Sequence, residues 1–380
     1  MSRTKHIAVT GSTGFLGGHF IRSYLSHYPA QVHAFIRGNS LAECQQKFDN
    51  NMQVIYDSYS ENSAPTSLLE SVNCITGDIE HPDLGLAEGQ IYNLRQHFIE
   101  EFWHFAASLN FEEQKSEKIF SQNVNGALNT LLLAKKIGAK RFIYISTAYT
   151  AGTLSGEIPE TIHDVSQFNN TYEKSKNLAE KTVAQKAKEL GIALTICRPS
   201  IVIGPEKTKL TGGTRDGLYG FIREMIKLKG AITDNSDGVR IHGNKDTLVN
   251  FIPVDRVMDD ILELVSRNFD RPIYHLSATG CLTISEVFSI IQDQLGINNV
   301  AIAADLDEDA MSRIEKMIQR RTLFYSGYVN HSKLFQRTLS GKWEMRRADL
   351  ERFIQSGIEE ISQERIAKRT SPQLLAKKIA

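Results

Sequence analysis

The sequence predicts an α/β protein, a doubly wound parallel sheet carrying a smaller, mainly helical C-terminal substrate cap. Three observations predict it. Short apolar runs, often β-branched, alternate with longer amphipathic stretches through the first two hundred residues. The first run breaks directly into a glycine-rich turn, IAVTGSTGFLGG at 7–18. After Gly204-Pro205 the alternation gives way to a loop and scattered helices.

Strand-like runs lie at 6–10, 32–36, 72–76, 102–106, 142–145 and 194–197. Residues 19–25, 123–137 and 172–190 carry apolar side chains at helical spacing, for instance at 124, 127, 128, 131 and 132. Strand, helix and strand in this order form right-handed crossovers that cover both faces of a parallel sheet. Residues 207–217, rich in Gly, Thr and Lys, read as a mobile loop, either a substrate flap or an ordinary surface loop. A helix is expected over 221–228, a strand over 248–253, a helix over 257–265 and a strand over 272–276. Acids between 305 and 309 precede the basic run 313–321, which places negative charge at the positive end of a helix. There is no internal repeat. The expected organisation is a nucleotide-binding domain over 1–204 with a returning segment near 247–280, and a cap formed by 205–246 and 281–380.

Composition excludes several classes of function. Of 380 residues, 41% are hydrophobic and 23% charged, as in an ordinary globular chain. Lys plus Arg and Asp plus Glu number 44 each, so no net charge marks a nucleic-acid partner. No apolar run approaches the roughly 18–20 residues of a transmembrane segment. The N-terminal stretch lacks the continuous apolar region of a signal peptide. Cys44, Cys74, Cys197 and Cys281 are scattered, which fits a reducing cytoplasm. The eleven histidines contain no HExxH or comparable spacing, so no metal site is expected. Oligomeric state is not encoded in any of these features.

Gly11, Gly14 and Gly17 stand where a buried strand turns into a helix. Glycine there permits unusual dihedrals and close approach of backbone to phosphate, and the helix start offers free N–H groups to a pyrophosphate. Thr13, Phe15 and Leu16 share that turn. A dinucleotide site usually follows with an acid for the ribose hydroxyls or a base for a 2′-phosphate. The second strand ends in Arg37 with no acid beside it, favouring NADPH over NADH; a solvated Arg37 near Glu43 is the competing reading.

Tyr172 and Lys176 are four apart in a helical stretch and share one face. With twelve tyrosines, about one such pair arises by chance, so position is the informative part. The pair follows Thr147, at the end of a strand, by 25 residues. Ligands of open parallel sheets bind beyond the carboxyl ends of strands. There an ammonium lowers the pKa of a phenol, and Thr147 with Tyr172 forms a small oxyanion site. His104 and Asn123 read as structural residues, with Asn123 an N-cap or a bridge between strands. Asp255 reads as a cap of the helix starting near Val257.

Together these segments resemble the extended short-chain dehydrogenase/reductases, whose fold is a Rossmann domain. TGSTGFLG at 10–17, FWHFAAS at 102–108, NVNG at 123–126, ISTAY at 145–149, YEKSK at 172–176, CRPSIVIGP at 197–205 and NFIPVD at 250–255 occur in the family's order. TGDI at 76–79, DLGL at 83–86 and the STAY strand end make the chain similar to fatty acyl-CoA reductases and thioester reductase domains. The resemblance implies a Thr147, Tyr172 and Lys176 catalytic triad and places Arg37, Asp78 and Ile79 on the adenine side. Ala106, Ala107 and Asn123 would lie along the cofactor, and Pro199, Ser200, Ile201 and Val202 against the nicotinamide. The implied substrate is an acyl-CoA or acyl-carrier-protein thioester, reduced to aldehyde or onward to alcohol.

Other readings keep the same residues. A hydroxysteroid- or β-hydroxy-acid-type dehydrogenase would use the triad on a secondary alcohol. A sugar-nucleotide epimerase or dehydratase would want an acid after the second strand, and a non-catalytic NADP sensor has no need of a proton donor. Leu218, Phe221 and Met225 hint at an acyl channel or at core. The basic tail from Gln363, with Arg365, Lys368, Arg369, Lys377 and Lys378, is a solvated terminus or a peripheral contact for a membrane or an acidic carrier.

Overall fold

The computed structural model describes residues 4–109, 113–235, 237–307 and 309–370. Seven strands form the main sheet: β1 (Lys5–Thr10), β2 (Ala30–Ile36), β3 (Val72–Thr76), β4 (Glu101–His104), β5 (Arg141–Ile145), β6 (Ala193–Pro199) and β7 (Ile273–Leu276). All neighbours pair in parallel, in the order β3-β2-β1-β4-β5-β6-β7. The strand order reverses between β1 and β4, so a crevice opens beyond their carboxyl ends. Ile7, Ala8 and Val9 are consecutive and fully buried, as a strand covered on both faces requires.

Ten longer helices complete the fold: α1 (Phe15–His27), α2 (Leu41–Ser58), α3 (Glu88–Gln96), α4 (Gly126–Lys136), α5 (Thr171–Leu190), α6 (Gly217–Thr233), α7 (Val254–Ser266), α8 (Ile284–Leu295), α9 (Arg313–Thr322) and α10 (Arg347–Thr370). One sheet face packs on Phe20 and Tyr24 of α1, Phe48 of α2 and Val257 of α7. The other packs on Leu94 of α3, Leu131 of α4 and Val183 of α5. A second core belongs to the cap, where Ile222 of α6, Ile291 of α8, Ile318 of α9 and Phe353 of α10 meet.

Several local expectations change. The strand expected over 102–106 runs instead from Glu101 to His104, and residues 105–109 leave the sheet and line the crevice. The strand expected over 248–253 divides into Leu248–Val249 and Phe251–Pro253. Asn250 between them accepts from Ser200 Oγ at 2.7 Å and Ala278 N at 3.0 Å. Among the described residues, Asp305, Asp307 and Asp309 do not cap α9. Ser312 and Glu315 do so reciprocally, at 2.8 and 3.3 Å, and Glu315 also binds Arg240. Asp255 lies inside α7, and its carboxylate accepts the Glu206 backbone N–H at 3.0 Å. From the cap side, the strand Lys333–Phe335 returns to pair with Gly156–Ile158, and Arg337 binds Asp260 of α7 at 2.8 and 2.9 Å. Among the described residues no helix is long and apolar enough to cross a membrane. Lys377 and Lys378 lie outside the described residues.

Candidate active site

β1 enters the crevice at Thr10, and the backbone must reverse within one residue. Gly11 does so at φ 76°, and a Cβ there would sit 2.6 Å from the Ala106 nitrogen. A Cβ on Gly17 would meet the Gly11 carbonyl oxygen at 2.1 Å, so α1 packs on the turn only without one. Gly14 is the N-cap of α1 and supplies no side-chain acceptor, and the first turn holds no acid. The Gly14 N–H closes the turn on the Gly11 carbonyl at 3.0 Å, which leaves the positive dipole end and uncapped N–H groups at the first turn of α1, at Phe15, Leu16 and Gly17, all of which line the cleft. Asn51 holds the loop by donating to the Ser12 carbonyl at 3.1 Å. This cradle fits the pyrophosphate of a dinucleotide.

Thr147 follows β5, and Tyr172 and Lys176 lie one turn apart near the start of α5. Asn170 caps that helix by accepting from the Glu173 N–H at 2.9 Å. All three side chains line the same cavity of about 1080 Å³. Thr147 Oγ1 accepts from the Tyr149 N–H at 3.3 Å, which leaves its hydroxyl hydrogen to donate elsewhere. Lys176, 1% exposed, donates to the Ile145 carbonyl at 2.7 Å and lies 4.3 Å from the centre of the Tyr144 ring.

The electrostatics reverse one expectation. Burial, with Glu173 and Asp216 adding to it, raises the Tyr172 pKa rather than lowering it. Lys176 provides no counterweight, because burial pushes its own pKa down to about 7. Tyr172 is therefore a protonated phenol at neutral pH, equipped to donate. His104 is held neutral by burial, at about 3, and bonds Thr10 Oγ1 at 2.7 Å, a structural role.

Around Thr147, Tyr172 and Lys176 stands a supporting layer that spacing alone does not show. Asn123, in the π-helical turn Ser121–Asn125, is not among the residues lining the cleft. Its amide exchanges bonds with the Ser108 backbone at 2.7 and 3.1 Å and donates to Ser175 Oγ at 2.9 Å. It thus ties the chain after β4 to α5 and caps no helix. Glu180 of α5 grips Arg198 of β6 with two bonds, at 2.9 and 2.6 Å, and both are fully buried. Glu173 and Lys333 are both buried near enough to feel each other's charge without a hydrogen bond between them, Glu173 Oε1 and Lys333 Nζ having no hydrogen-bond partner; burial raises the carboxylate and lowers the amine.

Arg37, Asp78 and Ile79 line the same cavity, joined there by Glu80, which stands 3.5 Å from Arg37. Asp78 Oδ1 accepts from the Glu80 N–H at 3.0 Å and shapes that turn. Thr13, Ala106, Ala107, Pro199, Ser200, Ile201 and Val202 also line the cleft. On the cap side the same cavity runs on between apolar walls that include Val249, Phe251, Val287, Phe288 and Ile302. Leu218 and Phe221 face it, whereas Met225 is core. The loop 207–217 is tethered, with Thr208 bonded to Ser58, Lys209 to Asp349 and Thr211 to Glu360 of α10. Its Gly212–Gly217 stretch borders the cleft. Tyr325 and Tyr328 border it too, from a part of the chain with no motif to announce them. Remote from the cleft, His6, His33 and His97 come together although their spacing shows no cluster.

Comparison with known proteins agrees with this geometry. The NAD-binding family model described as male sterility protein matches residues 9–261. A fatty acyl-CoA reductase of Drosophila melanogaster is 26% identical over 289 residues, covering 68% of this chain and 54% of that protein. Fatty acyl-CoA reductase 8 of Arabidopsis thaliana is 29% identical over 199 residues, covering 50% and 40%. The chain thus spans about half the length of the curated relatives it matches. The terminal R domain of the myxalamid PKS-NRPS pathway superposes with a TM-score of 0.72 at 22% identity, covering 95% of this chain and 92% of that one. An archaeal thiolation-reductase di-domain gives 0.71 at 18% identity, covering 95% and 76%. With its glycine cradle, seven-stranded parallel sheet and matched residues, the chain belongs to the NAD-binding male sterility protein family, an extended short-chain dehydrogenase/reductase fold.

Proposed function

We propose that the chain is an NADPH-dependent reductase of an acyl thioester carried by coenzyme A or an acyl-carrier protein. The observation that carries this reading is the single cavity. It joins the Gly11–Gly17 cradle, the Thr147, Tyr172 and Lys176 cluster and the apolar walls of the cap without interruption. The names of the relatives, fatty acyl-CoA reductases and reductase domains, point the same way.

Bound NADPH supplies the hydride. Thr147 and Tyr172 hold the thioester carbonyl oxygen, and as the carbonyl carbon gains hydride Tyr172 passes its phenolic proton to that oxygen. The resulting hemithioacetal breaks its carbon–sulfur bond, the sulfur leaving as thiol and the carbon as aldehyde. Lys176, fixed on the Ile145 carbonyl, sets the orientation of the α5 face beside the reacting oxygen. Apolar cap residues take the acyl chain and exclude water. Arg37, with an exposed guanidinium at the adenine end, is the partner for a 2′-phosphate. Glu80 beside it supports a second reading, NADH bound through ribose hydroxyls.

The test follows NADPH and NADH absorbance with long- and short-chain acyl-CoA and an acyl-carrier-protein thioester, with products identified by mass spectrometry. Oxidation of NADPH with aldehyde or alcohol formed is expected. Tyr172→Phe should lower kcat by about 10²–10⁴ while NADPH binding persists, and Arg37→Ala should erase the preference for NADPH. NADPH that binds but is oxidised by no thioester would transfer the assignment to the secondary-alcohol dehydrogenases.

A further inference from the structure

We propose that His6, His33 and His97 form a three-imidazole site for a divalent metal of the zinc class, at the end of the sheet opposite the cofactor cleft. His6 is the second residue of β1, and His33 lies in β2. In the register of these strands His6 is opposite Gln31 and Ala8 is opposite His33, so the two histidines project from one face as diagonal neighbours. His97 terminates α3 and folds onto the same spot. The three rings are mutually adjacent, with centroids 5.4, 5.0 and 4.8 Å apart.

The donor geometry is close to what zinc requires. Zinc–nitrogen bonds of about 2.0–2.1 Å at tetrahedral angles put ligand nitrogens about 3.3–3.4 Å apart. His6 Nδ1 and His33 Nε2 are 3.1 Å apart, and one nitrogen from each of the three rings falls within 4.8 Å of the others. His97 is the exposed member, so a turn of its ring closes the remaining gap and also gives the ion a way in. Three protein ligands leave a fourth position for water.

His33 is 3% exposed, and the nitrogen it turns toward His6 is Nε2; its Nδ1, on the other side of the ring, is buried without a hydrogen-bond partner and can carry the ring proton, which leaves Nε2 with its lone pair free to ligate. An all-imidazole set without carboxylate suits zinc, nickel or copper rather than magnesium or calcium. The ion would clamp β1, β2 and the α3–β4 connection. The cradle begins about four residues further along β1, roughly 13 Å away at strand rise, so the site is separate from the reaction.

Untagged protein, stripped with chelator and dialysed, would be titrated with zinc chloride by calorimetry, with cobalt absorption as the report on nitrogen ligation. One zinc per chain, a raised Tm and a tetrahedral cobalt spectrum are expected. His97→Ala, at an exposed position, should keep its fold and NADPH binding while losing more than about tenfold in zinc affinity, since even outer partners of a metal site cost that much. His6→Ala should behave alike. Absence of stoichiometric zinc in the wild type, or unchanged affinity in His97→Ala, would overturn the site.

Discussion

In the cleft, Tyr172 and Lys176 share one burial with opposite consequences. The phenol holds its proton more tightly than in water and the ammonium holds its own less tightly. The proposed reduction would need a donor as negative charge develops on the substrate oxygen, and the raised pKa of Tyr172 would keep that donor loaded through neutral pH. Lys176 titrates from an ordinary value of 10.5 to about 7 in the fold, so between these limits the unfolded chain binds more protons at this site. Stability contributed by this group therefore rises with pH across that window and is lost as pH falls toward 7. Lys176→Met removes the titration. Urea unfolding at pH 7.5 and 9.5 should show wild type gaining on the variant at the higher pH; parallel behaviour would mean that Lys176 is not desolvated. Turnover that depends on the ammonium should decline as pH rises through about 7, whereas loss of the phenol proton makes no contribution there.

At the scale of elements, α5 is the part that must not move, since a shift of one helix displaces both Tyr172 and Lys176. Its position is fixed by groups from two other elements: Asn123 bonded to Ser175, and Arg198 of β6 held by Glu180. Removing one member of a buried pair strands the other charge, so Glu180→Ala should cost about 3–5 kcal/mol. Glu180→Leu combined with Arg198→Met should recover much of that loss in urea unfolding, because the pair has been replaced rather than broken. Equal destabilisation in both would show that the site matters for packing and not for charge. Tyr172 and Lys176 are legible in the sequence because a spacing of four on one helix is a local fact. Glu180 with Arg198, or His6 with His33 and His97, are not, because strand order and register bring them together and no spacing encodes either. The same limit explains Asn123: its place in the NVNG segment is visible, but whether its amide faces cofactor or backbone depends on where residues 105–108 leave the sheet.

Over the whole molecule, the sheet and its glycine turn follow from apolar periodicity, because each strand and helix there buries a face against its sequence neighbours. The cap is less legible. Its helices close a core with one another and an apolar wall with the sheet, and both uses draw on the same residue types. Phe221 faces the cavity and Met225 the core, although they are one helical turn apart. The shape of that wall sets the length of chain accepted if the substrate is an acyl thioester. Each methylene buried there contributes about 0.8 kcal/mol, close to a fourfold gain in kcat/KM per carbon until the wall ends. Val287 and Phe288 of α8 line the apolar part of the cavity, so Val287→Phe should shorten it while leaving the cradle and triad intact. A series of acyl-CoA substrates should then show kcat/KM climbing with chain length in wild type and levelling off several carbons earlier in the variant, with the KM for NADPH unchanged. A chain-length profile that is flat in wild type would place the acyl group outside the cap and leave α8 with a purely structural role.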